Sequence, residues 1–172
     1  MTSTTLINDT AKELTFTFRE DGYFNMTKAA TVFGKNLSDF WKNDFAAPVI
    51  SELKNALYPS PVSYNLTGCE WGTWGHPKLA VSFARWLIVQ ISVACDLLIT
   101  DVIQGELKIY RNGQQVSIRD EFGHYGLATG CDLLISEILA GRAVVASQTP
   151  EGRVDIDLHA FPLFSIIPRE IL

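Results

Sequence analysis

Cysteine is scarce. Cys69, Cys95 and Cys131 are the only three in 172 residues, widely spaced and without a Cys-x-x-Cys pair. Structural zinc sites draw ligands in close pairs and disulfide frameworks fill short secreted chains, so this spacing argues against both, a Cys69/His76 zinc site included, and for reduced thiols. A long apolar run is lacking too. The nearest approach, 79–103, is interrupted by Arg85, Gln90, Asp96 and Asp101 and reads as two buried helices rather than a membrane span. Met1-Thr-Ser-Thr-Thr5 has no basic segment leading into an apolar core, so no signal peptide is expected and a cytoplasmic location follows. Basic excess is also missing, since 14 Lys and Arg stand against 19 Asp and Glu for a net charge of −5. That argues against a basic surface over the whole chain but not against a local basic patch. The chain has no Gly-rich phosphate loop, no Gly-x-Ser-x-Gly elbow and no His-Glu-x-x-His helix, so no cofactor, metal or catalytic group is expected.

What is present is a succession of strand, turn and helix signals. Residues 1–13, rich in Thr, are expected to be a flexible arm. Leu14-Thr-Phe-Thr-Phe18 alternates with period two, Arg19-Glu-Asp-Gly22 supplies a turn, and Tyr23-Phe24 begins a return strand. Asn25 is placed to cap a helix over 26–33 that ends at Gly34, and Ser38 to cap a second over 38–45 with Phe40, Trp41 and Phe45 on its apolar face. Pro48 opens a third, 49–57, which Tyr58-Pro-Ser-Pro61 terminates. A second hairpin is expected over 62–74 around Gly68. Two apolar helices follow, 78–89 after His76-Pro77 and a Ser92-capped one ending near Gly105.

Beyond a boundary near 105–112 the pattern changes. Asn112-Gly113 marks a hairpin of 107–110 and 115–118, because both residues tolerate positive φ. A helix over 131–140 and a hairpin of 144–146 and 154–158 around Thr149-Pro-Glu-Gly152 come next, then the apolar tail 161–172, which must pack on the core or form a subunit interface. Asp120-Glu-Phe-Gly-His-Tyr-Gly126 mixes charge and aromatics without a partner motif.

The segment Arg19-Glu-Asp-Gly-Tyr-Phe-Asn-Met-Thr-Lys-Ala-Ala30, then Phe33-Gly-Lys35, Phe40-Trp41, Gly72-Thr-Trp-Gly-His-Pro-Lys-Leu-Ala80 and Phe83-Ala-Arg-Trp-Leu87, closely resembles the KilA-N domain of bacteriophages and large DNA viruses. That domain is similar to the DNA-binding APSES domain of fungal transcription factors. The resemblance implies an α+β fold: a compact KilA-N/APSES-like domain over 14–106 with a helix-turn-helix-like pair and a β-hairpin wing, followed by a C-terminal α/β extension over 107–172. It further implies that the 38–45 helix and the 62–74 wing approach duplex DNA. Gly75 stands where a β-branched residue is commoner in the family, which is expected to loosen the strand end.

Most of the motif is scaffold: Tyr23, Phe24, Trp74, Phe83 and Trp86 for packing, Asn25 and His76 for caps. The candidates for DNA contact are the polar residues around it, Lys28, Lys35, Asn36, Ser38, Lys42 and Asn43 on the helix pair and Tyr64, Asn65 and Thr67 on the wing. Lysine neutralises phosphate and asparagine can read adenine bidentately. Residues 1–108 hold nine Lys and Arg against eleven Asp and Glu, with Asp39 and Asp44 on the expected recognition helix, so affinity from counterion release is limited unless a homodimer doubles the contacts. The leading expectation is a phage- or virus-type transcriptional regulator or antirepressor. A protein-interaction module acting on a host or phage DNA-handling protein is the alternative. Third is a magnesium-dependent nuclease built on Glu106-Leu-Lys108 with Asp96 or Asp101.

Overall fold

The computed structural model describes residues 3–9, 12–117, 127–160 and 164. Where a flexible arm is expected, Ser3–Asp9 forms a strand, β1, paired antiparallel with β2 (Lys12–Phe18). The reason lies in composition, since Thr4, Thr5, Leu6 and Ile7 include three β-branched residues that suit a pleated ladder. β2 continues the sheet to β3 (Phe24–Asn25) through the register Phe18 to Phe24. β4 (Ser63–Leu66) and β5 (Gly72–Gly75) form the second hairpin, giving an antiparallel sheet in the order β1-β2-β3-β5-β4.

Helix α1 (Met26–Val32) follows β3 without a loop, because Asn25 takes extended backbone angles and its side chain accepts the Lys28 N–H at 2.9 Å. Two caps then differ from expectation. Asn36, not Ser38, caps α2, its Oδ1 accepting the Ser38 N–H at 3.0 Å, and α2 is only Leu37–Trp41. Asn43 ends the predicted 38–45 helix by accepting from the Phe45 and Ala46 N–H groups, which starts α3 (Ala46–Ala56) three residues before the expected 49. Pro48 fits inside the first turn of α3, where no intrahelical donor is needed. Phe40 is fully buried, Trp41 half-buried, and Phe45, expected on the same apolar face, is 83 % exposed.

His76 caps a short turn over Pro77–Leu79 that leads into α4 (Ala80–Leu87). Ile88 then takes an extended conformation, so the helical segments Pro77–Leu87 and Val89–Gln104 (α5) meet at a bend of 112°. Ser92 lies inside α5 and does not cap it. Starting the helix at Val89 buries Ile91, Cys95 and Leu98 on one face. No single helix among the described residues is long and apolar enough to cross a membrane.

The second sheet is built from β6 (Leu107–Arg111), β7 (Gln114–Val116), β8 (Val144–Thr149) and β9 (Gly152–Ile156), in the order β7-β6-β8-β9 and antiparallel throughout. Asn112 and Gly113 both have positive φ in the β6–β7 turn, as the Asn-Gly pair predicts. Between the two hairpins lies α6 (Leu127–Leu139), longer at its start than the expected 131–140. Its Leu134, Ile135, Ile138 and Leu139 join Val49, Leu53, Phe83, Leu87 and Ile91 in a single buried cluster. Ile118 and the 120–126 motif lie outside the described residues. Of the tail, Phe164 is described, and it is buried in that same cluster.

Candidate nucleic-acid interface

The joint between sheet and helix pair is built around Asn25, which is fully buried. Its Oδ1 caps α1 while its Nδ2 donates to the Trp71 carbonyl at 3.3 Å, so one side chain ties α1 to the wing. Within the first turn of the helix, Thr27 Oγ1 accepts the Thr73 N–H at 2.8 Å, and Thr73 Oγ1 in turn donates to Asn65 Oδ1. Gly72 makes this approach possible. A Cβ there would lie 2.9 Å from Asn25 Oδ1 and 3.2 Å from Thr27 Cβ, and its φ of +133° is one that L residues rarely adopt. Behind the pair, Phe40 meets Phe83 edge-on at 5.2 Å and Trp86 at 5.5 Å, so α2 is held by its aromatic core contacts rather than by length.

Gly75 corrects an expectation. It is buried, and a Cβ on it would come within 2.5 Å of Met26 Sδ and 3.2 Å of Phe24 Cζ. The missing side chain is therefore replaced by Met26, which fills the space a β-branched residue would take, and the strand end is packed rather than loosened.

The nine predicted contact residues divide by what already occupies them. Asn36 and Asn43 use their side-chain oxygens as helix caps. Lys35 donates to the Trp86 carbonyl and lies 4.9 Å from that indole ring, half-buried. Tyr64 donates to Asp21 at 3.1 Å and packs on Tyr23, and burial followed by that carboxylate pushes its phenol up to about 12. Asn65 is engaged by Thr73. Lys28, Ser38, Lys42 and Thr67 are exposed, and among the described residues no side-chain hydrogen bond or ion pair engages them. Lys54 was not among the candidates. It is exposed at the end of α3 and lines, with Trp41 and Tyr58, a groove of about 390 Å³ beside α2. Its only sequence signal is a lysine in a last helical turn, which helix-dipole stability explains equally well.

The arginines of this region are committed internally. Arg19 pairs with Glu70 at 2.6 Å and lies over Trp74. Arg85 bridges Asp96 and Asp132, each at 2.6 Å. Asp132 on α6 is 4 % exposed and also accepts from the Ser82 hydroxyl, so a charged network joins α4 to α6. Burial raises the Asp132 carboxyl, and the Arg85 and Ser82 contacts oppose that rise. Sequence offered no hint of this network, whose members are about fifty residues apart. Burial also lowers His76, keeping it the neutral acceptor its cap requires.

Asp96 is held by Arg85, and the described residues contain no group of three or more His, Cys, Asp or Glu side chains placed to hold a metal ion.

A short capped helix pair locked under a β-hairpin wing defines the class, a compact α+β module with helix-turn-helix-like architecture. Residues 7–105 match the KilA-N domain, and the chain belongs to that family, whose members are in general non-enzymatic DNA-binding domains. Comparison with curated proteins and with solved structures gives no match.

Proposed function

We propose that this protein is a phage- or virus-type regulator or antirepressor that acts in the host cytoplasm and contacts duplex DNA through α2, the turn after it and the β4–β5 wing. The observation that supports this is the contrast among its cations. Arg19 and Arg85 are neutralised by carboxylates, whereas Lys28 and Lys42 on the helix pair are exposed and pair with no carboxylate among the described residues. Cations without internal partners are the ones whose binding to phosphate releases counterions. Ser38 and Thr67 supply neutral donors to the backbone, while Asn36 and Asn43, as caps, hold their side chains at the helix ends beside it.

Binding should be weak and salt-dependent, because Asp39 and Asp44 are exposed on and just beyond α2. In a salt titration followed by fluorescence anisotropy, Lys28→Ala and Lys42→Ala should each lower the log–log slope by about 0.9, the value for one phosphate contact. Asp44→Asn should tighten binding by removing like-charge repulsion. Unchanged affinity and slope in both lysine variants would place the DNA face elsewhere.

A second reading, a protein-interaction module, has its own support. The outward face of α5 leaves Val89, Val93, Leu97 and Ile103 exposed, an apolar stripe of the kind that marks protein contacts. Absence of duplex binding at low salt would favour it.

A further inference from the structure

β9 ends its sheet, and among the described residues its outer edge pairs with no other strand. The turn at Pro150-Glu151 makes Thr149 and Gly152 the closing pair of the β8–β9 hairpin. In a two-residue hairpin the closing pair is hydrogen-bonded, so Gly152, Val154 and Ile156 direct their N–H and C=O groups at β8. By alternation, the backbone groups of Arg153 and Asp155 point outward, and among the described residues no strand or turn hydrogen bond uses them. Two free donors and two free acceptors therefore lie along an exposed edge.

The side chains of that edge are self-complementary. Arg153 and Asp155 share one sheet face, 2.6 Å apart, with Arg153 stacked 3.9 Å from the centre of the Tyr110 ring. Val154 points to the other face, that of Val145 and Ile109, yet is 50 % exposed because it lies at the rim. Reversing the strand about Val154 sets Arg153 opposite Asp155, Asp155 opposite Arg153, and Val154 opposite itself. Charged edges usually block pairing, but here an antiparallel copy turns each charge into a partner. The stripe on α5 carries no comparable selector of its occupant.

We propose that β9 is a homodimer interface, pairing antiparallel with β9 of a second copy about a two-fold axis at Val154. Arg153 and Asp155 then exchange N–H···O=C bonds with Asp155 and Arg153 of the second copy, four bonds in all. The two arginines and two aspartates form an alternating cluster on one face, each arginine backed by the Tyr110 ring of its own copy, and the two Val154 side chains cover each other. Two four-stranded sheets become one continuous sheet. The interface is independent of the DNA reading, although a dimer would double the unpaired lysines offered to duplex.

Charge inversion tests it by sedimentation or light scattering. Wild type should run at twice the 19.1 kDa chain mass. Arg153→Asp alone and Asp155→Arg alone should run as monomers, since each sets like charges opposite one another. Mixed in equal amounts, the two should recover the dimer mass as a heterodimer, and the double swap should dimerise by itself. Only folded chains can rescue each other, and a role confined to the pair within one strand predicts no rescue. Should an inverted variant fail to fold, Val154→Lys, at a side chain already half exposed, should give a folded monomer. A monomeric wild type, single variants that stay dimeric, a mixture that stays monomeric, or a dimeric Val154→Lys would each overturn the proposal.

Discussion

At the scale of single residues, several side chains carry two structural duties, and this limits what remains for binding. Asn25 caps α1 and holds Trp71; Asn36 and Asn43 each commit the side-chain oxygen to a helix cap. The same economy appears at Gly75, where Met26 occupies the volume a side chain would need. Gly75→Val should therefore destabilise by about 1–3 kcal/mol through overpacking, measured by urea denaturation. Combined with Met26→Ala it should cost at least about 1 kcal/mol less than the sum of the single changes, because one variant vacates what the other fills. Strict additivity would show that Met26 does not stand in for the missing side chain.

At the scale of elements, short pieces depend on their anchors. α2 has five residues, too few to persist by propensity, and owes its place to Phe40 against Phe83 and Trp86. α4 and α6 are joined by the Ser82–Asp132–Arg85 network, in which Arg85 keeps Asp96 as a second partner. Asp132→Ala should cost about 2–3 kcal/mol, since it orphans the buried Ser82 hydroxyl and removes one side of the arginine bridge. Asp132→Asn should cost less, because the amide still accepts a hydrogen bond and the desolvated charge is gone. Equal losses in thermal or denaturant melts would show that charge, not hydrogen bonding, dominates at this joint.

At the scale of the whole molecule, one buried cluster runs from Phe18 to Phe164 and takes in both sheets and α6. All four tryptophans, Trp41, Trp71, Trp74 and Trp86, lie in the first half of the chain, whereas helix signal comes from both halves. Tryptophan fluorescence and far-ultraviolet circular dichroism should therefore report coincident unfolding transitions. Two separated transitions would mean that the halves fold apart. Much of this architecture was legible in advance: the hairpin into a capped helix at Asn25, the wing around Gly68, and the Asn-Gly turn all follow from local chemistry. The site was less legible, because whether Lys35 or Tyr64 is free depends on Trp86 and Asp21, which reach them only through the fold.

The sequence by itself determined the alternation of strands and helices, most of their boundaries, and membership of a DNA-binding family. Turns, caps and period-two patterns act over a few residues, and the family motifs survive as words in the chain. Only the tertiary structure decided which polar groups are spent and which are free. It closed Arg19 and Arg85 in ion pairs, filled the space at Gly75 with Met26, and among the described residues left Lys28, Lys42 and the β9 edge open. The physical reason is that a hydrogen bond or ion pair needs two groups within about 3 Å, and for groups far apart along the chain that distance is set only when the core packs.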